Sequence, residues 1–386
     1  MIMLLKRLLA LLIAAVNALL GNSIPSPCAV LAYDSYNLKT YMSPVWSGDI
    51  VYNETLMFVQ NKDGTVDPAP LLYYADEILS VRSYDLKTIY AEGVDYKLVG
   101  GCVVLTEDTG IYAWPYKEYY PPESIEGHTF ERSNGCGFIY FSEGPAISLT
   151  QVVVTYRHSD VWSGIVPENQ TERLPLTTSK LKSNEPLTIL FYGDSITVGG
   201  NSSAFVGIEP FAPIWSIMVV DTLAEVYANS HITYINTAVG GTASGWGAEN
   251  VEERVNAHNP DLVVIAFGGN DIKTNPIKFC QNINSIMKSC RESNPDVEFI
   301  LVSPEQTSKA VKGFYGNQFT FEEMLYLLAE NTKGTALAPV WSVHTNILRH
   351  KRYYDSTANN VNHVNDFMAR VYAQTVAEIF LGSPAG

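Results

Sequence analysis

Basic side chains are scarce in this chain. Its 386 residues hold 25 Lys and Arg against 40 Asp and Glu, a formal net charge of −15. A surface this acidic repels phosphate backbones and anionic lipid, which argues against nucleic acid and electrostatic membrane docking. Neutral polymers such as polysaccharide remain open as partners. Cysteine is also scarce, with five residues in all. No CxxC, HExxH or clustered Cys/His spacing occurs, so neither a metal nor a cofactor is expected. Cys280 and Cys290 fall in a helix-like stretch that would hold them ~15 Å apart, too far to bridge. A Cys102–Cys136 disulfide is permitted but not demanded.

Long apolar runs are missing as well. The longest N-terminal one, Leu8 to Leu20, falls short of the ~20 residues a bilayer span needs. It follows Lys6 and Arg7 and precedes Val30-Leu31-Ala32, the layout of a secretory signal covering residues 1–32. An uncleaved amphipathic anchor is the alternative. Pro25-Ser26-Pro27 ahead of Cys28 makes a poor lipoprotein box. Cleavage after Ala32 would leave a mature charge of −15 − 2 = −17 and a secreted protein, extracellular or periplasmic, with no stable membrane association.

What is present divides into two textures. At this length two domains are expected, since single cores stop growing at roughly 250–300 residues. Residues 33–165 read as short β segments broken by turns. Tyr96–Val99 and Cys102–Thr106 flank Gly100-Gly101, a hairpin signal, and Gly137–Phe141 and Gln151–Tyr156 add β-branched and aromatic runs. An antiparallel, jelly-roll-like β-sandwich is the expectation. Residues 166–186 are polar and proline-bearing and read as a linker. Asn169-Gln-Thr and Asn201-Ser-Ser match glycosylation acceptors.

From Leu187 to the end at residue 386 the texture is α/β. Leu187–Tyr192, Ile232–Ile235, Leu262–Phe267 and Phe299–Val302 are strand-like. Amphipathic stretches at 214–227, 249–258, 275–290, 321–330 and 366–381 alternate with them. This predicts a three-layer α/β/α domain around a parallel sheet, with ligands bound outside the carboxyl ends of its strands.

Four short blocks fall at such ends or near the carboxyl terminus: Gly193-Asp-Ser195-Ile-Thr, Asn236-Thr-Ala-Val-Gly-Gly241-Thr, Gly268-Gly-Asn270-Asp271 and Asn360-Val-Asn-His363. Each is weak singly. In this order they present Ser, Gly, Asn and His, and the region 187–381 resembles the SGNH (GDSL-type) hydrolase family. The resemblance implies Ser195 as nucleophile and His363 as the base that takes its proton and later protonates the leaving alcohol. It also implies an oxyanion hole made by the Ser195 and Gly241 N–H groups and the Asn270 amide. His128, His158, His231, His258, His344 and His350 lie in no such block and read as surface or packing residues.

One departure matters. The family commonly places Asp three residues before the histidine, and here that position is Asn360. An amide cannot supply the charge that stabilises an imidazolium. Three readings stay open: a Ser–His dyad oriented by a backbone carbonyl, another carboxylate with Asp355 nearest upstream, or an impaired enzyme. The dyad is favoured. Asp366 reads as an N-cap of the last helix, and Asp194 and Asp271 as loop braces. Trp215 and Trp246 are either a wall of the site or packing.

The two-part layout is similar to carbohydrate acetyl esterases with a β domain ahead of the hydrolase domain. With a signal-like start and no long apolar lid, that resemblance implies an acylated carbohydrate as substrate, with Trp114-Pro-Tyr116 and Tyr119-Tyr120 stacking on sugars or filling the core. A short-chain lipase or thioesterase, an acyl transferase, and a carbohydrate-binding protein with a decayed hydrolase half are the alternatives.

Overall fold

A computed structural model describes residues 35–382. The signal-like segment lies outside the described residues. Five strands, Leu187–Gly193, Ile232–Asn236, Leu262–Ala266, Glu298–Val302 and Thr335–Ala338, form a parallel sheet. Numbered along the chain their spatial order is 2-1-3-4-5. The order therefore reverses between the first strand and the third, which opens a crevice at their carboxyl ends.

Nearly every residue of the central strands is buried, as their continuous apolar runs require. Alternate side chains enter two different cores. Ile189, Phe191, Val264 and Ile300 face the helices Trp215–Tyr227 and Asp366–Leu381. Leu190, Tyr192, Val263, Ile265 and Phe299 face the helices Ser244–Arg254, Pro276–Ser293 and Phe321–Glu330. The three-layer α/β/α arrangement is thus present. The strand Thr335–Ala338 and the helix Val340–His350 add to the elements expected from the sequence.

The N-terminal half is β-rich, as expected, but it does not stand alone. Its strands Ile50–Leu56, Val152–His158, Ala75–Ser83 and Ile89–Tyr90 form an antiparallel sheet in that order, accompanied by a three-stranded and two two-stranded sheets. Tyr96–Val99 and Cys102–Leu105 pair across Gly100 and Gly101, both at positive φ, as the glycine turn demands. One buried cluster then runs from Leu56, Val154 and Tyr156 of the antiparallel sheet to Phe367, Val371 and Val376 of the last helix. Lys351 and Glu54, both fully buried, form an ion pair between the halves. Glu54 also accepts from Leu72 N at 2.9 Å and Tyr156 Oη at 2.8 Å.

The segment 166–186 is partly helical. It carries the helix Pro175–Lys182, whose free N–H groups at Leu176 and Thr177 donate to the Glu298 carboxylate at 3.0 and 2.8 Å. A buried acid from the neighbouring sheet caps the helix, which its proline-bearing sequence conceals. Cys102 and Cys136 are free thiols, so the permitted disulfide is not formed. No helix among the described residues is long and apolar enough to cross a membrane.

Candidate active site

The strand Leu187–Gly193 ends in a turn that Gly193 makes feasible. A Cβ there would stand 2.3 Å from the Ala266 carbonyl oxygen, so only glycine lets the first and third strands approach this closely. Asp194 follows, buried, and its Oδ1 accepts from Ile196 N at 3.1 Å. That bond fixes the turn and leaves the Ser195 N–H without an acceptor among the described residues. Ser195 is half-buried and reachable.

His363 reaches Ser195 from the far end of the chain. Its Nε2 stands 2.9 Å from Ser195 Oγ. Its loop is organised by Asn359, fully buried, whose Oδ1 accepts from the N–H groups of Val361, Asn362 and His363 at 3.0, 2.9 and 2.9 Å. Thr357 Oγ1 donates to the His363 carbonyl at 2.8 Å. Gly200 lies under the ring: a Cβ there would be 3.1 Å from Cε1 and 3.2 Å from Nδ1.

The groups at Nδ1 are neither of the two sequence candidates. Asn201 Oδ1 lies 2.6 Å away and Glu143 Oε2 lies 3.0 Å away. Asn201 Nδ2 donates to the Gly144 carbonyl at 2.9 Å, which turns its oxygen toward the ring. Both neighbours of Nδ1 are acceptors, so Nδ1 carries the proton and Nε2 presents its lone pair to the serine hydroxyl. This is the tautomer a general base needs.

Asp355 and Asn360 serve elsewhere. Asp355 is fully buried, accepts from Met57 N at 2.8 Å and pairs with Arg352. Asn360 Oδ1 accepts from Tyr119 Oη at 3.1 Å and its Nδ2 donates to the Tyr140 carbonyl at 2.9 Å. Both residues therefore tie the His363 region to the N-terminal half and do not face the ring. Glu143 and Asn201 escaped the sequence reading for different reasons. Glu143 lies far upstream in the half read as a separate domain. Asn201 matches a glycosylation acceptor by sequence, yet it is buried against His363.

The oxyanion candidates gather on the same side. Gly241, at φ +77°, follows Gly240, whose added Cβ would be 3.7 Å from Ser195 Cβ. The Gly241 N–H has no acceptor among the described residues. Asn270 Nδ2 donates to the Thr242 carbonyl at 2.9 Å, which ties the second and third blocks together and leaves its other N–H free. Asp271 braces the next helix through Ser244 N and Oγ, at 2.9 and 2.6 Å.

Behind the Ser195 turn lie two buried acids, Asp194 and Glu305. Burial, with the Glu305 charge nearby, pushes the Asp194 carboxyl up to about 7, and burial pushes Glu305 to about 7. Glu305 binds the Tyr372 hydroxyl and does not face the serine. At Glu143 partial burial raises the carboxyl, but its interactions with His363 and Asn359 outweigh this and hold it below its ordinary value.

Residues 191–371 match the sequence model of the GDSL-like lipase/acylhydrolase family. An arylesterase of Vibrio mimicus is 27% identical over 138 residues, covering 35% of this chain and 64% of its own. A two-domain esterase active on acetylated mannans, co-crystallised with mannopentaose, superposes with a TM-score of 0.43 at 21% identity over 54% of this chain and 53% of its own. An acetylxylan esterase from Geobacillus stearothermophilus gives 0.42 at 20% identity over 51% and 95%. The chain thus spans 64% of the arylesterase and 53% of the mannan esterase.

Trp215, Trp246, Trp114 and Tyr119 pack against neighbouring side chains. Trp215 is 1% exposed and donates to the Ile196 carbonyl at 2.9 Å, which buttresses the Ser195 turn. Trp246 packs on the second core beneath Arg254. Trp114 and Tyr119 are buried with Ile139, Val311 and Val361 where the halves meet. His344 is buried, which lowers its pKa to about 3 and keeps it neutral. The N-cap of the last helix is Asn365, which accepts from Met368 N at 3.1 Å; Asp366 follows it and accepts from Ser203 N at 2.9 Å. The shift by one position arises because the Asn365 side chain already fills the cap.

Proposed function

We propose that this protein is a secreted serine esterase that removes acetyl or other short acyl groups from carbohydrate. The observation that carries the reading is the 2.9 Å approach of His363 Nε2 to Ser195 Oγ, with the ring proton held on the opposite nitrogen.

Ser195 Oγ attacks the ester carbonyl carbon as its proton passes to His363 Nε2. The carbonyl oxygen becomes an anion that the Ser195 and Gly241 N–H groups and the Asn270 amide receive. As the tetrahedral species collapses, the bond to the sugar oxygen breaks and His363 returns the proton to the leaving alcohol. Water then repeats the sequence on the acyl-enzyme, releasing the acid and restoring Ser195.

The assignment to carbohydrate esters rests on the signal-like N-terminus, the acidic composition and the β-rich half that precedes the hydrolase domain. Secretion places the enzyme with extracellular glycans, and an acidic surface suits a neutral polymer. Acetate release from p-nitrophenyl acetate and from acetylated xylan tests the reading. S195A should abolish both, and N270A should lower the rate by ~10²–10³. Activity retained by S195A would overturn it. A series of acyl chain lengths separates this reading from a short-chain lipase, since a small acyl site loses rate sharply beyond propionyl.

A further inference from the structure

The position three residues before His363 carries an amide, yet the ring is not without a negative charge. The charge arrives from the other half of the chain. Glu143 lies just after the short strand Phe138–Tyr140, and its Oε2 is 3.0 Å from His363 Nδ1.

We propose that Glu143, held in place by Asn201 and Asn360, supplies the charge that stabilises the His363 imidazolium, so that the active site is completed across the two halves. The inference rests on the Ser195–His363 reading above and adds the positioning residues that reading lacks.

Three contacts carry it. Asn201 binds both sides of the junction: its Oδ1 meets the ring at 2.6 Å while its Nδ2 donates to the Gly144 carbonyl at 2.9 Å, the residue next to Glu143. Asn360 anchors the approach to that segment by donating to Tyr140 O at 2.9 Å and accepting from Tyr119 Oη at 3.1 Å. Asn359 fixes the His363 loop by accepting from the N–H groups of Val361, Asn362 and His363 at 3.0, 2.9 and 2.9 Å. A carboxylate at 360 would have no proton for the Tyr140 carbonyl. The amide is thus the side chain that brings Glu143 to the ring, and its presence is the counterpart of an acid supplied from elsewhere.

The chemistry follows directly. When Nε2 takes the Ser195 proton the ring becomes cationic. The Nδ1 proton stays on the ring, shared between Glu143 Oε2 and Asn201 Oδ1, and no proton moves to the carboxylate. Nε2 then gives its proton to the leaving alcohol, and the ring returns to neutrality. Glu143 acts only through His363 and does not touch substrate. Its side chain is 57% exposed, so solvent screens it more than a buried protease aspartate, and its loss should cost less than the ~10⁴ known there.

The test is steady-state hydrolysis of p-nitrophenyl acetate by the full chain and its variants S195A, E143Q, E143D and E143A. E143Q should lower kcat by ~10²–10³ with KM within about threefold, because the charge acts on the imidazolium that forms during proton transfer and not on bound substrate. E143D should recover part of the loss. Added formate should raise kcat of E143A and leave S195A inactive, a response that a purely structural role would not give. If E143Q matches the wild-type kcat while S195A is dead, the proposal falls and the serine esterase reading stands. If S195A keeps its activity, the reading beneath it falls.

Discussion

The amide of Asn360 donates to the carbonyl of Tyr140 at 2.9 Å, linking the loop that carries His363 to the strand that leads to Glu143. Restoring an aspartate at 360 would look, from sequence, like repair of a catalytic triad. The structure predicts the reverse. N360D removes the only proton offered to Tyr140 O by this side chain and places a charge at a site 1% exposed. An unsatisfied buried acceptor costs about 1–3 kcal/mol, and the buried charge adds to it. Thermal unfolding should shift down and kcat should fall. A kcat above wild type would refute this account of Asn360.

Gly200 permits the ring to lie where it does. G200A would place a methyl group 3.1–3.2 Å from the imidazole, so the ring must give by a few tenths of an ångström. Misplacement of this size should lower kcat by ~10–10² with little change in KM. Steady-state kinetics of G200A on a short-chain ester checks it, and an unchanged kcat would show that the ring has room to spare.

The buried pair Lys351–Glu54 ties the two halves together. K351M leaves the Glu54 carboxylate buried and unpaired, which should cost about 3–5 kcal/mol. Denaturant unfolding should move to lower concentration and remain one transition by fluorescence and circular dichroism. Two separated transitions in the wild type would show that the halves unfold independently.

Buried acids set the pH dependence of stability. Asp194 and Glu305 are pushed up to about 7 and Asp366 to about 6 by burial. Their folded-state values lie above the unfolded ones near ~4, so the native state binds more protons across that interval. Their contribution is fully present below pH ~4 and is lost as pH rises through about 7. D194N keeps the oxygen that accepts from Ile196 N and removes the charge. Melting temperatures measured from about pH 5 to 8 should fall less steeply in D194N than in wild type. Equal slopes would show that Asp194 does not titrate there.

Much of the hydrolase half was legible because its signals are local. The strands beginning at 187, 262 and 298 are largely apolar runs, and the helix Phe321–Glu330 begins and ends where its periodicity does. The strand Thr335–Ala338 was not legible, since Thr-Ala-Leu-Ala is short and small and is a strand only because Glu298–Val302 pairs with it. The same holds for Pro175–Lys182, which depends on a cap from Glu298, distant in sequence. Motif order alone pairs Ser195 with His363, and the fold holds the two side chains 2.9 Å apart. Glu143 was not legible, because nothing in a Ser-Glu-Gly loop signals a role until the fold brings it to the ring. Trp114 and Tyr119 suited either sugar stacking or burial by type, and only packing between the halves decides that they are buried.

The central claim is that His363 activates Ser195 for attack on an acyl carbon. Covalent labelling with a fluorophosphonate, followed by mass mapping of the modified peptide, tests it most directly. The wild type should be labelled on Ser195 alone, and H363A should lose that labelling while keeping its fold. Labelling of another residue in the wild type, or undiminished labelling of H363A, would contradict the account.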